Sequence, residues 1–210
     1  MSFTIALFAP LKFGCFLGRD RLNCRVCVRD CAHDVFIVRK LGVPGFEELA
    51  AGAIASGGVR VLNEDVVRAI PYATEAIEAV TAKETAELQR REQIYREGRS
   101  APELRDKIVI LADDGLATGA TMRAAVKALR QQGAAKIVVA VPVGPPDTCE
   151  EISQEADEAI CLSTPPFFQA VGQYYEDFSQ TSDDDVRELL TKAAEERQGA
   201  DPRRANDTKK

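Results

Sequence analysis

The residues best suited to chemistry stand together between positions 108 and 122. They read Ile108-Val109-Ile110-Leu111-Ala112, then Asp113-Asp114, then Gly115-Leu116-Ala117-Thr118-Gly119-Ala120-Thr121, then Met122. Five β-branched or apolar residues without polar alternation fit a strand buried on both faces of a parallel sheet. The acidic pair falls at the carboxyl end of that strand, where ligands of open α/β sheets collect, so both carboxylates face substrate rather than core. In the loop from Gly115 to Thr121, glycines and alanines let backbone N–H groups approach an anion and two Thr hydroxyls add donors. A helix beginning near Met122 points its positive end at the same spot. This order describes a site for a sugar phosphate, with a monophosphate in the loop.

Other accounts of the same residues are weaker. A P-loop places a Lys before its Ser or Thr, and Gly119-Ala120-Thr121 has none. A response-regulator receiver carries adjacent acids after its first strand, but has a later phosphoacceptor Asp and no T-G-x-T. An ordinary Asp-Asp-Gly turn seldom brings so many aligned features.

With its two acids and T-G-x-T loop, the segment resembles the motif that binds phosphoribosyl pyrophosphate (PRPP) in type I phosphoribosyltransferases. The resemblance implies an α/β fold in which a parallel sheet is flanked by helices, a Rossmann-like core with a small hood. It implies that Asp113 and Asp114 are the catalytic pair, holding the ribose 2′ and 3′ hydroxyls. Gly115, Leu116, Ala117, Thr118, Gly119, Ala120 and Thr121 would hold the 5′-phosphate. The implied activity moves 5-phosphoribosyl from PRPP to a nitrogenous base or related acceptor and releases pyrophosphate. The alternative is a non-catalytic regulator of the same fold that binds PRPP or a nucleotide. Breaking the bond between ribose C1 and pyrophosphate builds negative charge on the leaving group. Mg²⁺, which prefers hard oxygen ligands, is the expected cofactor, held near Asp113 and Asp114 through the substrate.

Other residues qualify for supporting roles. Arg39 and Lys40 follow the β-rich run Val35-Phe36-Ile37-Val38, so they share the rim with Asp113 if both strands are parallel, and they suit pyrophosphate. Basic residues stand in a similar place in several family members; a solvated strand-end pair is the competing account. Arg90, Arg91, Tyr95 and Arg96 lie where the family places a loop that closes over pyrophosphate, although the pattern here is helical. Phe167 and Phe168, in an aromatic-rich stretch ending at Phe178, are candidates to stack on the acceptor, with core packing as the competing account.

The elements that must position these groups alternate. Val59 to Leu62 and Ile137 to Val141 read as strands, with Ala159 to Leu162 as a last short one. Glu47 to Ala55 suits a small-residue helix closed by Ser56-Gly57-Gly58, Asn63 caps a short helix over Glu64 to Ala69, and about Thr74 to Arg96 reads as a long, largely solvated helix. Thr121 to Gln132 is an amphipathic helix stopped at Gly133, and Asp147 to about Ala156 is another. Strands and helices at this spacing indicate a parallel α/β sheet. Residues 1–33 form an atypical segment, 34–196 the phosphoribosyltransferase-like domain, and 197–210 a charged tail expected to be disordered. Family members carry an earlier strand followed by a pyrophosphate-binding loop. Phe3 to Phe8 could supply the strand, Leu11-Lys12-Phe13-Gly14 is a poor loop, and residues 1–33 read as a divergent or out-of-frame replacement of that piece.

At 210 residues with 45% hydrophobic content the chain can bury one sizeable core. A net charge of −6 argues against a general nucleic-acid surface. No apolar run is long enough to span a bilayer, and the amino terminus lacks a basic signal-like region. Composition thus points to a metabolite partner in the cytoplasm, with no nucleic acid or membrane, and the resemblance implies that the partners are PRPP and a small nitrogenous acceptor; the reading leaves room for a homodimer. Cys15, Cys24, Cys27 and Cys31 crowd near His33, but without a second C-x2-C they read as reduced thiols rather than a metal site, as do Cys149 and Cys161.

Overall fold

The computed structural model describes residues 4–10, 32–43, 46–69 and 73–199. Its main sheet has five strands: β1 (Thr4–Pro10), β2 (Ala32–Phe36), β6 (Lys107–Ala112), β7 (Lys136–Val143) and β8 (Glu158–Ser163), in the order β2-β1-β6-β7-β8. Strands β6, β7 and β8 are parallel, as expected. Between them and β2, β1 runs antiparallel to both neighbours, so the sheet is mixed. Antiparallel neighbours need no helical crossover, whereas parallel ones do. The register sets Ile5 opposite Ala112 and Pro10 opposite Lys107. The chain therefore leaves β1 at the end of the sheet away from Asp113.

Helix α3 (Ala120–Gln131) packs against the main sheet because its apolar residues recur at helical spacing: Met122, Ala125, Val126 and Leu129 are buried with Val109 and Leu111 of β6 and Ile137 and Val139 of β7. Helix α4 (Pro146–Glu155) returns the chain to β8, starting on Pro146, whose fixed φ suits a first helical turn. Cys149 of α4 and Cys161 of β8 are joined in a disulfide, so these two cysteines are not the free thiols expected from composition. Cys15, Cys24, Cys27 and Cys31 lie outside the described residues.

A second, antiparallel sheet contains β3 (Val38–Val43), β4 (Phe46–Ala55) and β5 (Val59–Leu62). β4 corrects the helix expected over 47–55. Its alanines favour a helix locally, but pairing on both edges decides otherwise, and Gly52 sits so close to the Val61 carbonyl that any side chain there would collide. Gly57 and Gly58, at φ 85° and 75°, turn the β4–β5 hairpin rather than ending a helix. The expected strand over 35–38 is also interrupted: Ile37 lies between β2 and β3, where its amide donates to Ser56 Oγ (3.0 Å) and its carbonyl accepts from the Ser56 amide (2.8 Å).

Helix α1 (Glu64–Ala69) follows Asn63, whose Oδ1 accepts the Val66 amide. Helix α2 (Ala73–Arg96) is polar over most of its surface, but Ile77, Leu88, Arg91 and Tyr95 form a buried seam. Helix α5 (Asp183–Gly199) is an element the sequence pattern did not disclose, and it takes residues 197–199 out of the expected tail. Residues 200–210 lie outside the described part. Ser182 and Asp185 cap α5 reciprocally: the Asp185 amide donates to Ser182 Oγ and the Ser182 amide to Asp185 Oδ2.

Candidate functional site

Strand β6 ends at Ala112, and the chain turns through Asp113 and Asp114 directly onto the loop that starts α3. Asp113 Oδ1 accepts the Asp114 amide at 3.0 Å, which fixes the first carboxylate along the turn. Asp114 is partly buried. Desolvation holds its carboxyl above the usual carboxylate range, with the Gly115 amide offsetting part of that shift.

Two glycines shape the loop. A Cβ on Gly115 would lie 2.8 Å from Val171 Cγ1 and 2.9 Å from the Val143 carbonyl oxygen, so the backbone passes where no side chain fits. Gly119 stands at φ 69° immediately before α3, and a Cβ there would lie 2.8 Å from Thr148 Cγ2. The loop is fastened from outside. The Leu116 amide donates to the Val143 carbonyl (2.9 Å), Thr148 Oγ1 to the Ala117 carbonyl (3.3 Å), and Arg123 Nη2 to the Thr118 carbonyl (2.8 Å). The N-cap residue of α3, Gly119, has no side chain to cap the first turn, and only a long bond from the Ala120 amide to Thr118 Oγ1 (3.5 Å) reaches it from the loop, so the helix's positive end faces the loop.

The acids, the whole loop 115–121 and Met122 form one wall of a cavity of about 850 Å³. The facing wall comes from the carboxyl-terminal part of the chain: Val171, Phe178, the neutral polar run Ser179-Gln180-Thr181, and the apolar residues of α5. Tyr175 joins the walls. Its hydroxyl donates to the Asp114 carbonyl at 2.6 Å, and its ring lies 5.3 Å from that of Phe178. Burial, then the two nearby carboxylates, raises the Tyr175 phenol above its ordinary pKa.

The cavity thus gathers Asp113, Asp114 and Gly115 to Thr121 as the sequence implied, but not the other candidates. Arg39 and Lys40 lie in β3 of the second sheet and are not among the cavity residues, and Arg39 Nε donates to Glu84 on α2 at 2.7 Å. The break at Ile37 is the reason: the chain leaves the main sheet before reaching them. Arg90 and Arg91 both pair with Glu87, Tyr95 donates to Asp183, and Arg96 pairs with Asp34. Tyr95 and Arg96 tie helix α2 to Asp183 and Asp34, and Arg90 and Arg91 pair within the helix through Glu87, so the segment is helix rather than a closing loop. Phe167 is 88% exposed, and Phe168 stacks on Tyr174 with centroids 5.7 Å apart. The aromatic on the cavity wall is Phe178. The sequence signal for it was present in the same aromatic-rich stretch, but nothing local distinguished it from its neighbours.

Comparison with known proteins agrees with this geometry. The phosphoribosyl transferase domain profile matches residues 38–179. Over 160 residues, 76% of the chain, the sequence is 51% identical to "Putative phosphoribosyl transferase Rv0571c" of Mycobacterium tuberculosis strain H37Rv and to its counterpart MT0597 in strain CDC 1551. The aligned part is 36% of each relative, so the chain spans about a third of their length. The crystal structure of TT1426 from Thermus thermophilus superposes with a TM-score of 0.65 at 39% identity, covering 76% of this chain and 75% of that one. The profile takes in the acid pair, the glycine loop and the facing aromatic wall together, and on that basis the chain belongs to the phosphoribosyl transferase domain family.

Proposed function

We propose that this site binds PRPP and transfers its 5-phosphoribosyl group to a nitrogenous acceptor, with pyrophosphate leaving. The observation that carries the reading is one cavity in which two rim carboxylates and an amide-lined loop face an apolar, aromatic wall. The loop amides and the start of α3 suit the 5′-phosphate, Asp113 and Asp114 suit the ribose hydroxyls, and Phe178 suits a flat acceptor ring. The partly exposed oxygens of Asp113 and Asp114 fit a hard cation shared with substrate oxygens, and among the described residues no larger cluster of metal-ligating side chains exists. Mg²⁺ held there would supply neutralisation of charge on the departing pyrophosphate. The chain's own residues orient the sugar and exclude water around C1. The test is titration calorimetry with PRPP and Mg²⁺, followed by pyrophosphate release assayed against a panel of nitrogenous bases. Binding and release together support the reading, and absence of PRPP binding removes it.

A second reading is favoured by the direction of β1. Because β1 ends beside Lys107, at the end of the sheet away from Asp113, and Arg39 and Lys40 are not among the cavity residues, a protein that binds PRPP or a nucleotide without transferring it fits this arrangement. PRPP binding without pyrophosphate release across the whole panel would select this second reading.

A further inference from the structure

We propose that Tyr175 is a positioning residue that aims the acidic pair at the sugar hydroxyls; the inference rests on the proposed binding of a phosphorylated ribose. Two contacts between the acid turn and the segment from Val171 to Phe178, and one that braces that segment internally, carry it. Val171 lies against Gly115, so close that a Cβ there would be 2.8 Å from Val171 Cγ1. The Tyr175 hydroxyl donates to the Asp114 carbonyl at 2.6 Å, across 61 residues of sequence. The Tyr175 ring meets Phe178, which in turn packs on Gly172, where a Cβ would lie 2.9 Å from Phe178 Cδ1.

The peptide between Asp114 and Gly115 decides where the second carboxylate points, because a side chain's direction follows from its own backbone dihedrals. Its neighbours on the loop side are already fixed by the Leu116 to Val143 bond. On the acid side, the Tyr175 hydroxyl is the side-chain bond to the Asp114 carbonyl. The phosphate half of the site has different supports, namely Thr148 on Ala117 and Arg123 on Thr118. The two halves are therefore separable by experiment: Tyr175 acts on the hydroxyls of a sugar and leaves the phosphate cradle alone.

The experiment measures binding of ribose 5-phosphate and of inorganic phosphate, each with Mg²⁺, to the full chain carrying Tyr175→Phe. Tyr174→Phe serves as control, since Tyr174 stacks on Phe168 away from the cavity. Loss of one neutral hydrogen bond should weaken ribose 5-phosphate about two- to tenfold while inorganic phosphate binding stays unchanged and the melting temperature falls by no more than a few degrees. Unchanged binding of both ligands overturns the proposal. Parallel weakening of both also overturns it, because that is what general loosening of the loop would produce. A wild-type chain that binds neither ligand fails in a different place: it removes the proposed function, and this inference with it.

Discussion

Replacing Asp114 by Asn separates a binding role from a structural one. The substitution keeps the shape of the side chain and removes its charge. No ion pair among the described residues involves Asp114, and its side chain stands at a cavity wall rather than in the core, so little packing is lost. Burial raises the folded-state pKa of this carboxyl. The native protein therefore holds the proton more tightly than the unfolded chain, and ionisation opposes folding. Stability from this group falls as pH rises from the ordinary carboxylate value through the raised one, and stays lower at neutral pH. The Asp114→Asn variant is relieved of that cost, so its melting temperature at pH 7 should equal or exceed that of the wild type. Binding should move the other way. A hydrogen bond to a charged group contributes about 1.5–3 kcal/mol, so ribose 5-phosphate should bind about 10- to 150-fold more weakly. Calorimetric melting and isothermal titration on the same preparations read both quantities. A melting temperature lowered by more than about 4 °C, which is at least ~1 kcal/mol for a domain of this size, with affinity intact, would show that the acid is structural and refute the reasoning.

Gly119→Ala should cost about 2 kcal/mol, from a left-handed φ and a close approach to Thr148, and should weaken inorganic phosphate binding; urea unfolding and phosphate titration check this, and a neutral effect on both would show that the loop bends easily. Glu87, held at a pKa of about 2 chiefly by hydrogen bonds from Arg90 and then Arg91, contributes stability that is present above about pH 4.5 and lost as pH falls toward 2. Glu87→Gln should therefore flatten the acid limb of a stability-versus-pH curve, and curves that run parallel would contradict the assignment. Ribose 5-phosphate and PRPP should bind within about tenfold of each other, a gap of ~1.4 kcal/mol, because the cationic candidates for pyrophosphate lie away from the cavity; a hundredfold advantage for PRPP, measured by competition, would reveal a pyrophosphate contact.

How much of this was legible in the sequence depended on how local each signal is. The run from Ile108 to Met122 was readable because strand, acids, loop and helix start are contiguous, so local pattern and tertiary role coincide. Strand β4 was misread because its alanines speak locally for a helix while pairing by β3 and β5 is non-local. The Gly57-Gly58 pair between β-rich runs was the available hairpin signal. Helix α5 was missed because its apolar face is narrow, carried mainly by Val186 and Leu190, although Ser182 and Asp185 form a recognisable capping pair. Nothing in the neighbourhood of Cys149 or Cys161 discloses that they meet, since the contact is made by α4 packing on β8.

The same distinction explains why the acid pair and the glycine loop meet in one cavity while Arg39 and Lys40 do not join them. The acid pair and the amide-lined loop come from a single stretch of chain, so whatever happens to the rest of the sheet, β6 and α3 need only pack against β7 for the acids and amides to converge. A contribution from a second strand has no such protection. A second strand brings its carboxyl end to the same rim only where it runs parallel to the first, and β1 runs antiparallel to β6, so that Ile5 rather than Pro10 stands beside Ala112. Arg39 and Lys40 fail for a related reason: the break at Ile37 hands them to β3, where Glu84 claims Arg39. Both placements trace to non-local strand pairing rather than to the chemistry of the residues.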